Sequence, residues 1–244
     1  MNQKPVQSIF FLAQVFLLVS LLWFSDCNQA KASSWDPSKA GNASPYAAFL
    51  SNEDVFIEIP ALRQYGNYTC GAACVQMLMN WLEPYEADIN LTQYEELLGT
   101  TPENGTSPNA VLTYLEENGV DFAASQHLSL SALRQKLDAG HPVMMALQAW
   151  SSAEDGGYNL NDPFQPETYL SEGHWVICVG YCQSADQPYY LFNDPACVGH
   201  VMVYEDELDL RWIDRDGNGI VYDHFGIEIL QKTNYSSTGL FYMD

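Results

Sequence analysis

Cys70 is followed by Gly71-Ala72-Ala73-Cys74 and preceded, six residues upstream, by Gln64. From Cys70 onward the apolar residues Cys70, Cys74, Met77, Leu78 and Trp81 recur at three- and four-residue steps, which predicts a helix carrying them on one face. Thr69 then falls at its N-cap. A thiol at a helix N-terminus meets unpaired backbone N–H groups and the positive end of the helix dipole, and both favour the thiolate. Gln64, on the approaching loop, is spaced to turn its amide back and donate where an oxyanion would form beside the sulfur. The alternative is a buried cysteine in an ordinary core helix.

A cysteine nucleophile needs a base, and the base needs an orienting group. The histidines are His127, His141, His174, His200 and His224. His174 opens the apolar run Trp175-Val176-Ile177-Cys178-Val179-Gly180-Tyr181, so it stands at the mouth of a predicted strand. Asp194 ends the next apolar run, in Asn193-Asp194-Pro195-Ala196. If one turn joins these strands, Asp194 lies near His174, accepts from the imidazole N–H and fixes its tautomer. Spacing alone also admits His200 as the partner of Asp194.

The elements that must position these groups follow from period and punctuation. Strands are predicted at Val55–Ile59, Val120–Ala124, Pro142–Ala149, His174–Tyr181, Tyr189–Phe192, Ile227–Leu230 and Gly239–Met243. Helices are predicted at Cys70–Glu83, Leu91–Leu98, Asn109–Glu117, Leu130–Leu137 and Glu205–Trp212, with Pro84, Gly99 and Gly119 closing the first three. Helices first and strands later give an α+β class, a helical half packed on an antiparallel sheet. Trp150–Glu172 is a long polar stretch holding Glu154, Asp155, Asp162, Glu167 and Glu172. A loop of that length is usually functional, here as an acidic lid favouring basic residues in a substrate.

The chain has 244 residues and a formal charge of -22, which disfavours nucleic acid and anionic lipid as partners. Residues 1–32 have the form of a signal peptide: Lys4, a largely apolar run from Ile9 to Phe24, and Ala30-Lys31-Ala32 as a cleavage site. The expected organisation is a signal peptide at 1–32, a linker or N-terminal arm at 33–54, and one domain at 55–244. The expected location is secreted or periplasmic, with no stable membrane insertion once the signal is removed. Cys27 raises lipidation as an alternative, but Phe24-Ser25-Asp26 before it are not the small residues such a site uses. Five cysteines follow the cleavage site, Cys70, Cys74, Cys178, Cys182 and Cys197. In an oxidising compartment that odd count suits two bridges and one free thiol, with Cys197 a candidate partner for Cys178 or Cys182.

The string Gln64…Cys70-Gly71-Ala72-Ala73-Cys74 resembles the Q-x5-C-G-x-A signature of the C39 peptidase family, which includes double-glycine-leader peptidases of bacteriocins. In order along the chain, Gly105-Thr106-Ser107-Pro108, Gly140-His141-Pro142-Val143, Gly173-His174-Trp175-Val176 and Asn193-Asp194-Pro195-Ala196-Cys197-Val198-Gly199 resemble further blocks of that family. The likeness runs from Val55 to Trp212 and implies a papain-like cysteine proteinase fold. It implies Cys70 as nucleophile, His174 as base and acid, Asp194 as orienter, and Gln64 with the Cys70 backbone N–H as oxyanion donors. It leaves Cys74 as a structural helix cysteine. The implied activity is a thiol peptidase acting on a peptide or protein, basic in character if the acidic loop faces it. A transpeptidase running the same acyl-enzyme chemistry and a non-catalytic peptide-binding module are the other readings. The reaction requires no cofactor. Asp214-Arg215-Asp216-Gly217-Asn218-Gly219 matches the first half of a calcium loop, making Asp214, Asp216 and Asn218 candidate ligands of a structural calcium, with a tight polar turn as the alternative.

Overall fold

The computed structural model describes residues 54–83, 89–149, 173–183, 185–197 and 200–231. These all fall in the second of two compact units, Ala43–Asp244. The signal peptide, nearly all of the linker, the acidic stretch and the strand expected at Gly239–Met243 lie outside the described residues. Among the described residues no helix is long and apolar enough to cross a membrane.

The chain opens with β1 (Val55–Phe56), then runs through α1 (Cys70–Leu82), α2 (Leu91–Leu98), α3 (Pro108–Glu117), β2 (Phe122–Ser125), α4 (Leu130–Asp138) and β3 (Val143–Gln148). It continues with β4 (Gly173–Cys182), β5 (Tyr189–Asn193), β6 (His200–Tyr204), α5 (Glu205–Arg211), β7 (Ile213–Arg215), β8 (Val221–Asp223) and β9 (Gly226–Ile229). Seven strands form one sheet in the order β2-β9-β3-β4-β5-β6, with β1 on β4, and every pairing is antiparallel. β7 and β8 form a separate hairpin.

Strand parity splits the interior in two. Trp175, Ile177 and Val179 of β4 and Met144 and Ala146 of β3 pack with α1, α2 and α3. Val176, Cys178, Val143, Met145 and Leu147 point the other way, onto Leu133 and Leu137 of α4 and Leu208 of α5. Both faces of β3 and β4 are therefore covered, which is why these strands read as continuous apolar runs. Each large aliphatic side chain fully buried this way stabilises the fold by about 1.5–3 kcal/mol.

Expected elements recur with boundaries moved by one or two residues, except the first strand, which stops at Phe56. Three points need correction. Thr69 precedes α1 but makes no side-chain cap; its hydroxyl instead accepts from the Gly66 N–H at 3.4 Å. Among the described residues the five cysteines are free thiols, so neither expected bridge forms. A bulge between Cys178 and Gly180 shifts the parity of β4, so Cys178 and Tyr181 share a face. Finally, β6 and the β7–β8 hairpin are strands the sequence did not announce.

Helix α1 docks unusually close to β4 at its first turn. A Cβ on Gly71 would lie 2.5 Å from Thr106 Cβ and 2.9 Å from Trp175 Cδ1. Gly71→Ala is therefore expected to cost about 1–3 kcal/mol through overpacking, read as a lower urea midpoint with an unchanged m-value.

Candidate active site

Cys70 is the first residue of α1 and is buried at 6% exposure. The turn before it is fixed from two sides. The Gln64 backbone N–H donates to the Pro195 carbonyl at 2.7 Å, which ties the nucleophile loop to the turn after Asp194. The Ala73 N–H donates to the Thr69 carbonyl at 3.0 Å. One turn on, the Cys74 thiol donates to the Trp175 carbonyl at 3.3 Å, and burial pushes this thiol well up. Cys74 is thus a protonated structural group that holds α1 against the strand of His174.

His174 comes from the start of β4, and Asp194 follows the end of β5. The two strands pair antiparallel with Ile177 opposite Asn193, which brings the histidine and the aspartate to the same end of the hairpin. His174 Nε2 lies 2.8 Å from Asp194 Oδ1, with both side chains largely buried. The Cys70 side chain also acts on the ring, favouring its charged form. With Nε2 on the aspartate, Nδ1 is the nitrogen left for the thiol. Burial alone favours the neutral ring; hydrogen bonds to Asp194 and Cys70, with their charges, outweigh it and raise the His174 pKa to about 9. Burial likewise opposes ionisation of Asp194, but the His174 hydrogen bond and charge, the Ala196 N–H and the Cys197 thiol hold its carboxyl below the usual range. His200, the competing partner, instead packs edge-on against Phe56 with ring centroids 5.0 Å apart.

The Gln64 side chain bonds within its own loop, with one amide hydrogen left over. Its amide nitrogen donates to the Gly66 carbonyl at 2.5 Å, and its Oε1 is buried without a hydrogen-bond partner.

The expected calcium ligands are engaged by protein donors. Asp216 Oδ1 accepts from the Asn218 and Ile220 N–H groups, both at 2.9 Å, and so closes the β7–β8 turn. Asp214 points away from that turn: Gln148 Nε2 donates to its Oδ1 at 2.9 Å. Asp223 and Glu228, further along the chain, bond His224 and His141. Among the described residues no group of three or more His, Cys, Asp or Glu converges as a metal site. Asp216 here closes a tight polar turn.

The site also holds residues that no sequence pattern placed beside Cys70. Gly173, just before the histidine, has no Cβ, and one built there would lie 2.5 Å from Asp214 Oδ1. Burial lifts the Asp214 carboxyl to about 7, against the Arg215 N–H and the Gln148 amide, which favour its charge. Trp175 Nε1 donates to the Thr106 carbonyl at 2.9 Å, fixing the loop before α3 beside Cys70. A cleft of about 340 Å³ opens here, with Cys70, Tyr68, Thr106, Gly173 and Asp214 among its walls. No local pattern marks Asp214 as a neighbour of His174; only the bare Gly173 hints that something approaches.

Residues 56–218 match the family described as Peptidase_C39 like family. The chain is similar to a Bacillus anthracis protein assigned as a C39-like peptidase, with 13% identity and a TM-score of 0.51 over 75% of this chain and 100% of that one. It is also similar to the double glycine motif protease of an AMS/PCAT transporter, solved with its leader peptide (18% identity, TM-score 0.43, 72% and 96% covered). A third similar structure is the peptidase domain of Streptococcus ComA, a bifunctional ABC transporter involved in quorum sensing (13% identity, TM-score 0.45, 72% and 99% covered). At these identities the likeness is one of fold, and the first structure carries it: the arrangement is papain-like. No curated protein matches the chain.

The His174 balance makes a prediction. In the folded chain the ring should titrate near 9 by NMR, and Asp194→Asn should move that midpoint well down, because burial then meets less opposition. The sign for stability follows. The folded value lies above the ordinary 6.5, so the stabilisation from the pair is full below about pH 6.5 and is lost as pH rises through about 9.

Proposed function

Because the chain belongs to the Peptidase_C39 like family, whose members are cysteine peptidases, we propose that it hydrolyses peptide bonds with Cys70 as nucleophile, His174 as base and acid, and Asp194 as the group that orients His174. One observation carries this reading: His174 Nε2 lies 2.8 Å from Asp194 Oδ1, and the Cys70 side chain acts on the same ring in favour of its charged form. A proton shared along that line leaves sulfur as thiolate and His174 as imidazolium.

The mechanism follows from those positions. The Cys70 sulfur attacks the scissile carbonyl carbon, and the carbonyl oxygen becomes an oxyanion. The Cys70 backbone N–H, at the unpaired end of α1, donates to that oxyanion. Gln64 is the second donor: its amide nitrogen carries two hydrogens, and the Gly66 carbonyl uses one. His174 gives its proton to the leaving amine, and the C–N bond breaks to leave a thioester. His174 then takes a proton from water, hydroxide adds to the thioester, and the acid is released with the thiolate restored. Asp194 keeps Nε2 protonated throughout and holds the ring in the plane that serves the sulfur.

The substrate is a peptide or an extended protein segment, and the protein is exported. The apolar run Ile9–Phe24 followed by Ala30-Lys31-Ala32 supports export.

Incubation with a mixture of unstructured peptides, followed by mass spectrometry of the fragments, tests the reading. Cys70→Ala should abolish cleavage while the fold persists. Gln64→Ala should lower kcat about 100- to 1,000-fold, the usual effect of losing one oxyanion donor. Cleavage that survives Cys70→Ala would refute it.

A further inference from the structure

The cleft beside Cys70 has a floor that the catalytic line does not use. Asp214 lies against Gly173, the residue before His174, and only the missing Cβ admits its carboxylate there. Gln148, fully buried and paired with Gly173 across β3 and β4, holds it through Oδ1. Its hydrogen-bond partners are this amide and the Arg215 backbone N–H, neither of which carries a charge. Taking a carboxylate out of water is costly, and the partner that offsets the cost best is a cation.

The surrounding walls agree in sign. Asp214, Asp216 and Glu103 border the same cleft, against the single guanidinium of Arg215. Asp216 is committed to its turn through Oδ1, but its negative charge remains. The cleft, at about 340 Å³, sits at the small end of ligand pockets and matches one long side chain. Cys70 is part of its wall, so whatever fills it is joined closely to the carbonyl under attack.

We infer that this cleft receives a lysine or arginine side chain of the substrate next to the scissile bond, with Asp214 as the carboxylate that meets it. The inference rests on the peptidase reading, since it assigns a side-chain preference to the same site. It places the source of a basic preference in the described cleft wall, independently of the acidic stretch 150–172.

Two thiol reagents of the same size test it without a known substrate: a methanethiosulfonate bearing a trimethylammonium group and its neutral alkyl counterpart. Their rates at Cys70 and at exposed Cys197 are read by mass spectrometry of the full mature chain at low ionic strength. Cys197, exposed and outside that cleft but beside Asp194, sets the reference for the pull that a neighbouring carboxylate and the acidic chain together exert on any cation. The expected result is a cationic-to-neutral rate ratio at Cys70 about 10-fold above that at Cys197. Asp214→Asn should reduce the Cys70 ratio about three-fold or more. Glu103→Gln, on an exposed loop residue that cannot threaten the fold, should reduce it by about half. Equal ratios at the two cysteines, or a Cys70 ratio unmoved by both variants, would overturn the cation preference. A Cys70 that reacts with the neutral reagent no faster than Cys197 would instead overturn the peptidase reading beneath it.

Discussion

The seat of Trp175 is the constraint on which the rest of the site depends. Its carbonyl takes the Cys74 thiol, its indole N–H binds the Thr106 carbonyl, and its ring abuts the bare Gly71. Those three contacts join the first turn of α1, the loop before α3 and the first residues of β4. They bring Cys70 at one element's end to His174 at another's. A substitution here misplaces two groups at once, and a misplacement of about 1 Å is enough to cost a catalyst 100-fold.

Electrostatics then acts on that geometry. His174 sits where burial would keep it neutral, and only the partners on its two nitrogens hold the proton on it. Asp194 is itself held ionised by the ring, the Ala196 N–H and the Cys197 thiol. The line from aspartate to sulfur is therefore self-supporting: each charge lowers the cost of burying the next. Asp214 stands outside this line. Its hydrogen bonds come from dipoles, with the His174 charge a smaller contribution, and its carboxyl is lifted to about 7 where that of Asp194, hydrogen-bonded to the ring itself, is lowered. Two carboxylates thus flank one histidine strand in opposite electrostatic states.

Much of this was legible in the sequence. The 3.6-residue period after Cys70, the apolar run after His174 and the turn between two strands were enough to bring Cys70, His174 and Asp194 together. Family blocks in the same order gave the fold, and the family match at residues 56–218 closely covers the stretch those blocks implied. What escaped has physical reasons. Strand β6 is half-exposed throughout and has no clean alternation. The β7–β8 strands were not announced because each is three residues long and the turn between them carries the oxygen-bearing side chains shared by tight turns and metal loops. The bulge in β4 is likewise a feature that one strand's sequence does not announce. Asp214 was visible as a carboxylate, but its approach to Gly173 joins residues 41 positions apart through a fold contact that no local pattern encodes.

The most direct test of the central claim is the rate of Cys70 alkylation by iodoacetamide between pH 5 and pH 10, followed cysteine by cysteine in the wild type and in His174→Ala. If His174 holds the proton that Cys70 gives up, Cys70 will react readily on the acid side of neutrality, where exposed Cys197 is inert. His174→Ala will abolish that acid-side reactivity. A Cys70 whose profile follows that of Cys197, unchanged by loss of the histidine, would contradict the account.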